Sequence, residues 1–348
     1  MKNKNIFFIA DAMSIHTEKW VNYFVEQGYE VYLATFSGTN NTKCKNIYFL
    51  GRTESKASGG NYHYLLGISK LAKIFRKVKP DIVNAHYSYS MGLIALLAKR
   101  RSKIKCEFSV VCHGSDVLAP PKPYIFDKLN RYILNRANKI FVVSDQLKDK
   151  VESLKIDVEK VYVGQYGVDI SDSDISKDID ILSNRAYNAN SRIDFLLEAI
   201  DTMDYRNLNI VFVIPNIGDM DYNILLSKYP YVTFYKHVEY SKMINLVSRA
   251  KIYISATKSD GTSLSLLEAM KLNCIPIVSN IVSNRSWILD GINGYLFNSK
   301  RDFLFKLNNA LNSSSSESIV HVNKMLILEK GSYGKQMNKI KEFMMEKQ

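Results

Sequence analysis

Cysteine is scarce in this sequence of 348 residues. Four are present, Cys44, Cys106, Cys112 and Cys274, at no metal-ligand spacing. That pattern points to a reducing, cytoplasmic setting rather than a disulfide-built one. Long apolar runs are missing too. The longest candidate, Met91–Ala98, falls far short of the roughly 18–20 residues that cross a bilayer. The start, MKNKNIFFIADAMS, places basic residues before an apolar stretch, but that stretch is only Ile6–Ala10 and Asp11 interrupts it. It reads as a first buried strand rather than a leader. No G-x-G-x-x-G follows that strand, which argues against a nicotinamide enzyme. Asp172/Asp174, Asp178/Asp180 and Asp219/Asp221 imitate a metal-binding D-x-D. None follows a convincing strand, so they read as solvated loops and no metal site is expected. There is no internal repeat at the sequence level, and the serine run Ser313–Ser316 is a short loop.

What is present is ordinary core material. Hydrophobic residues make up 46% of the chain and charged residues 23%, as in soluble globular proteins. The length exceeds one ordinary core and suits two domains of roughly 150–180 residues. The net charge of +13 is uneven: residues 1–170 carry 26 Lys and Arg against 15 Asp and Glu, and the rest 21 against 19. A basic half suggests an anionic partner such as nucleic acid, a phosphorylated acceptor or an anionic membrane surface. No nucleic-acid fold signature accompanies the charge, so no nucleic-acid partner is expected.

Short β-branched runs alternate with helical-period runs. NIFFIAD, YEVYLATF, DIVNAHY, FSVVCHG, KIFVVSD and KVYVGQYGVD read as strands. Between the first two, Thr17–Gln27 reads as a helix with Trp20, Val21, Phe24 and Val25 on one face, ended by Gly28. The pattern restarts with DIDILSNR, LNIVFVIPN, VTFYKHV, KIYISAT and IPIVSN. Such alternation predicts α/β architecture: parallel sheets with helices on both faces, in two doubly wound Rossmann-like domains facing a cleft. The expected division is residues 1–170, 171–325 and a carboxyl-terminal helical segment, 326–348, that packs back toward the first domain. Ligands of such sheets bind at the carboxyl ends of strands.

The strongest constellation is KIYISATKSDGTSLSLLEAMKLNCIPIVSN. A strand ends near Thr257, the loop Lys258–Thr262 follows, and a helix opens at about Ser263. Free N–H groups and the helix dipole at Thr262–Ser265 suit a diphosphate. Asp260 and Glu268 stand eight apart, so both carboxylates can reach one cleft and accept paired hydrogen bonds from hydroxyls. Spacing alone leaves open an ordinary βαβ unit with an acid near a helix start.

At this point the sequence resembles the retaining GT-B glycosyltransferases of family 4. Their pattern E-G-x-P-x-x-x-L-E-A-M-A-x-G-x-P-V-V, the E-x7-E motif, is matched by D-G-T-S-L-S-L-L-E-A-M-K-L-N-C-I-P-I-V, and their D-G-x-N-G-x-L by Asp290-Gly291-Ile292-Asn293-Gly294-Tyr295-Leu296. The opening S-I-H-T-E-K-W resembles an S-I-H-T-x-R-W start in part of that family, and the resemblance spans roughly residues 5–300. Three departures stand out. Asp260 replaces the usual first Glu. Asn190 occupies the place of a lysine about five residues after Arg185. Lys236 replaces a glycine before the base-binding turn, and Ile214-Pro215-Asn216-Ile217-Gly218 replaces a glycine-rich turn.

The resemblance implies an acceptor-binding first domain and a donor-binding second one. It places His113, of H-G-S-D, near the reacting carbon of the sugar, with Asp116 holding its loop. It puts His16 and His86 at the cleft or acceptor. Arg185 would meet the diphosphate, with Arg192 as a candidate second cation. Asp260 would hold the sugar hydroxyls and Glu268 the ribose, while Gly261, Thr262, Ser263, Leu264 and Val238 would line the donor. The implied reaction is metal-independent, retaining transfer of a hexose or N-acetylhexosamine from a nucleotide diphosphate sugar, UDP-sugar favoured over GDP-mannose. The implied acceptor is a glycan, lipid-linked, in surface polysaccharide synthesis such as lipopolysaccharide or capsule. Two rivals stand beside it: a non-catalytic GT-B partner or glycan-binding subunit, and a GT-B sugar-nucleotide epimerase. The basic, aromatic-bearing stretch Tyr62–Lys79, with Lys99–Lys105, suggests peripheral contact with an anionic membrane, against the plainer reading of a solvated basic helix.

Overall fold

A computed structural model of the chain describes residues 4–51, 62–114, 116–118, 122–169, 175–202, 207–312 and 316–346. Asp172/Asp174 and Ser313–Ser315 lie outside them. The chain forms two units, residues 1–166 with 336–348, and residues 167–335.

In the first unit every strand is parallel. β1 (Asn5–Ile9), β2 (Glu30–Thr35), β3 (Asn46–Phe49), β4 (Ile82–His86), β5 (Glu107–Cys112), β6 (Lys139–Val142) and β7 (Val161–Val163) lie in the order β3-β2-β1-β4-β5-β6-β7. Phe7, Val83, Val110 and Ile140 face a core closed by Leu71, Phe75, Ile94, Ile133 and Leu147 of the crossover helices. The opposite face is closed by the helix Ile15–Glu26 and by the helix Tyr333–Met345, which returns from the chain end. There the Phe343 ring lies 5.5 Å from Phe141, itself 5.2 Å from Trp20. Lys139, 3% exposed, donates to the carbonyls of Phe343 and Glu346 at that helix's end, where unpaired carbonyls favour a cation. The chain end packs on the first unit from Gln336 onward, whereas residues 326–335 of the expected terminal segment belong to the second unit.

The second unit is also wholly parallel. β8 (Ile179–Asn184), β9 (Ile210–Val213), β10 (Val232–Tyr235), β11 (Ala250–Ser255), β12 (Ile275–Ser279) and β13 (Tyr295–Phe297) run in the order β10-β9-β8-β11-β12-β13. Alternate residues feed opposite cores: Ile181, Phe212, Ile252 and Ile277 one, Leu182, Val211, Tyr253 and Val278 the other. Strands covered on both faces carry apolar residues at successive positions, as these do. Two strands escaped the sequence reading, β3 and β13. Both are short edge strands, of four and three residues, so their apolar residues make runs too brief to stand out from the neighbouring turns. Among the described residues no helix is long and apolar enough to cross a membrane.

Candidate functional site

Each sheet reverses its strand order once, and connections leave the two flanking strands in opposite directions, opening a crevice at their carboxyl ends. In the first unit the flanking strands are β1 and β4. His16 follows β1, in the first turn of a helix whose cap, Ser14 Oγ, accepts the His16 N–H. His86 ends β4, and His113 directly follows the neighbouring β5. The sheet therefore gathers three histidines that lie 27 or more residues apart. His113 Nε2 and His86 Nδ1 are 3.2 Å apart, and the His113 ring lies 4.7 Å from those of both His16 and Tyr87. Tyr166 Oη stands 3.0 Å from His16 Nδ1.

Burial decides the charge of this cluster. It pushes His86 down to about 3, with His16 adding to the effect, and takes His113 well below the usual histidine range, with His16 and His86 adding. Both are neutral near pH 7, so one ring nitrogen of the 3.2 Å pair donates and the other accepts. His113 Nδ1 and His86 Nε2 are buried without a hydrogen-bond partner. Asp116, 1% exposed, holds the loop: its carboxylate accepts the N–H groups of His113 (3.2 Å), Gly114 (3.1 Å) and Ser88 (2.8 Å). Asn130 donates to its carbonyl at 2.8 Å. The Ser88 bond fixes the π-helical turn Tyr87–Gly92, which opens on Tyr87 at φ 70°. A bulky residue in the left-handed region is a local outlier, and here it carries a ring onto His113.

In the second unit the reversal lies between β8 and β11. Arg185 follows β8, and the loop bearing Asp260 follows β11. The Arg185 guanidinium donates to Asp260 Oδ2 at 2.8 Å and to Ser263 Oγ at 3.0 Å. Ser263 is also the cap of the helix Leu264–Lys271, its Oγ accepting the Leu266 N–H. Gly261 and Ser263 are buried, and Thr262 and Leu264 half-buried. Glu268 is 6% exposed and accepts the Tyr240 hydroxyl at 2.8 Å. Val238 packs against the core that receives Leu264. Arg185, Asp260 and Ser263 thus come together at a helix N-terminus, an arrangement that suits an anion.

Arg192 is placed differently. It sits at φ 51°, its Nε donates to Ala256 O at 2.6 Å, and its guanidinium lies 4.8 Å from the Phe195 ring. Asn190, standing for the family's lysine, is a clamp. Its amide accepts from Ser259 N–H (3.0 Å) and donates to Ser259 O (2.9 Å), and its carbonyl accepts from Lys258 N–H (2.9 Å). Sequence reasoning noted Asn190 only as a departure from the lysine of the resembling family, and it passed over Tyr87, Tyr166 and Tyr240. Of these only Tyr87 carried a signal, its place at a strand's carboxyl end. The Asp pairs are peripheral: Asp178 and Asp180 bind Arg249 and Lys251, and Asp219 binds Lys236. Among the described residues no three His, Cys, Asp or Glu are grouped to hold a metal ion.

Residues 5–144 match the family described as Glycosyl transferase 4-like, and residues 169–321 the family Glycosyl transferases group 1. The chain belongs to the group 1 glycosyltransferases. Solved structures agree on the GT-B fold. Anabaena HepE in complex with UDP and glucose superposes with a TM-score of 0.79 at 13% identity, over 98% of this chain and 99% of that one. Sucrose-phosphate synthase of Thermosynechococcus elongatus gives 0.80 at 12%, over 98% of each. S. aureus TarM in complex with Fondaparinux, alpha-GlcNAc-glycerol and UDP gives 0.76 at 13%, over 99% and 100%. N-acetyl-alpha-D-glucosaminyl L-malate synthase of Bacillus anthracis is 26% identical over 145 residues, 39% of this chain and 38% of that enzyme. Within this glycosyltransferase the D-G-x-N-G stretch has a structural task. Asp290 accepts the Leu296 N–H, Asn293 accepts that of Leu289, and Asn293 Nδ2 donates to Trp287 O and Asn323 Oδ1.

Proposed function

We propose that this glycosyltransferase transfers a hexose or N-acetylhexosamine from a UDP-sugar to a hydroxyl of a lipid-linked glycan, with retention of configuration, in surface polysaccharide synthesis. The observation that carries the donor half is the convergence of Arg185, Asp260 and the Ser263-capped helix at the strand reversal. On this reading the diphosphate meets Arg185 and the helix N-terminus, and the reaction needs no resident metal. Asp260 turns to the sugar hydroxyls, and Glu268, on its Tyr240 support, holds the ribose. His113 serves the sugar as a neutral imidazole, for which its unpartnered Nδ1 is suited. The acceptor oxygen attacks the anomeric carbon on the face the diphosphate leaves. The bond to the β-phosphate oxygen breaks, its electron pair stays on that oxygen, and the acceptor proton follows. Arg185 stabilises the growing negative charge.

HepE and TarM, with UDP in their solved complexes, support UDP as the nucleotide to test first. Thermal shift with UDP-glucose, UDP-N-acetylglucosamine and GDP-mannose should show stabilisation by UDP-sugars, lost in Glu268→Ala and Arg185→Ala. No shift with any nucleotide sugar would overturn the reading. Binding without turnover on any acceptor would favour a glycan-binding GT-B subunit, the reading that Asn190 in place of lysine supports.

A further inference from the structure

Three neighbouring helices of the first unit, Gly67–Val78, Leu93–Ser102 and Pro123–Leu134, carry nine Lys and Arg against one Asp. Their inward residues Leu71, Phe75, Ile94 and Ile133 share one core with the same sheet face, so the three lie side by side. The contacts agree: Arg76 reaches the carbonyl of Arg101, and Arg100 the hydroxyl of Tyr132. What remains outward is basic. Lys70, Lys73, Lys77, Arg100, Lys128 and Arg131 are all exposed, and the one acid, Asp127, is taken by Lys150 at 2.7 Å.

The layer also has an apolar edge. In a parallel sheet each crossover helix runs back against the strands, so its first turn lies at their carboxyl ends. Leu66 caps the first helix and is 83% exposed, and Tyr124 and Ile125 open the third at 75% and 57%. These side chains therefore stand on one rim, on either side of the middle helix, about 20 Å apart from two helix spacings of 8–10 Å. It is the end of the sheet where His16, His86 and His113 gather.

We propose that this layer is a docking surface for an anionic lipid bilayer. The basic faces lie on the headgroups, and Leu66, Tyr124 and Ile125 enter the interface. Charge complementarity selects the occupant: an interfacial element needs cationic residues beside exposed aromatic and aliphatic ones. A nucleic-acid duplex would use the charge and leave the three apolar side chains in water. The proposal shares the lipid-linked acceptor with the reading above, but the donor site plays no part in it.

Flotation of the full chain with phosphatidylcholine vesicles, with and without phosphatidylglycerol, tests it. Recovery should require phosphatidylglycerol and fall with added salt. Leu66→Ser/Tyr124→Ser/Ile125→Ser should weaken partitioning roughly tenfold or more, and Lys70→Glu/Lys73→Glu/Lys77→Glu should do the same. Both variants should keep the wild-type thermal shift with UDP-sugar if folded, and far-UV circular dichroism checks that fold independently of nucleotide. No binding to the anionic vesicles, wild-type binding by both variants, or preferential capture of duplex DNA or of RNA over vesicles would overturn the proposal. Loss of the nucleotide shift with vesicle binding intact would instead count against the donor reading alone.

Discussion

Asp260 is one methylene shorter than the glutamate of the resembling motif, and its carboxylate is paired with Arg185. The acid and its cation therefore stand as a unit, which the diphosphate sugar of the proposed function would have to open or share. Sequence spacing put Asp260 and Glu268 on one loop-helix segment, but the Arg185 pairing joins residues 75 apart and had no sequence signature. The histidines give the sharper test. Unfolded His86 takes up a proton near pH 6.5, whereas folded His86 stays neutral down to about 3. Its stabilising contribution is complete above pH 6.5 and is lost as pH falls toward 3, at up to about 1.4 kcal/mol per pH unit. His113, lowered in the same direction, adds to the fall. Urea unfolding between pH 7 and about pH 5 should show stability dropping with acid, and His86→Phe should make the drop shallower. A pH dependence identical in the variant would show that this imidazole is not its source.

At the scale of elements, the core strands were legible because both sheets are parallel and covered on two faces, which writes nearly continuous apolar runs into the chain. The edge strands β3 and β13 were not, since at four and three residues each is too short to stand out as a run. The turn into β13 is set by backbone geometry. Gly294 holds φ 155°, and an added Cβ would lie 2.8 Å from the Pro276 carbonyl and 2.6 Å from its ring. Gly294→Ala should cost more than about 2 kcal/mol of stability, measured by urea unfolding, with β13 displaced from β12. A cost near zero would mean the turn before β13 shifts freely. The Asn190 clamp belongs to this scale as well. It binds the loop after β8 to the loop after β11 through three hydrogen bonds. Asn190→Ala should speed amide exchange at Ser259 by about tenfold or more, the equivalent of one or two side-chain hydrogen bonds. Unchanged exchange would leave Asn190 without that role.

At the scale of the molecule, the first unit is discontinuous: the chain leaves it at Tyr166 and returns at Gln336. The returning helix covers Phe141 and Tyr162 with Phe343 and receives Lys139 at its carboxyl end. Ending the chain at Lys335 should lower the first unit's stability by about 2–4 kcal/mol, through the apolar cover lost from Phe141 and Tyr162. The chain has two tryptophans, Trp20 in the first unit and Trp287 in the second. In a Trp287→Phe background the fluorescence of Trp20 reads the first unit alone, and an unshifted transition would refute the role given to the helix. The sequence by itself determined the class of fold, because the alternation of strands and helices and their burial are local patterns. It also determined the loop-helix at Asp260–Glu268, because cap, glycine and carboxylate lie within one short stretch. Only the tertiary structure decided which groups meet. His16, His86 and His113 come from three strand ends, Arg185 finds Asp260 across a strand reversal, and Asn190 clamps a loop 69 residues away. Parallel crossovers bring distant residues together at one sheet end, and no local spacing records that.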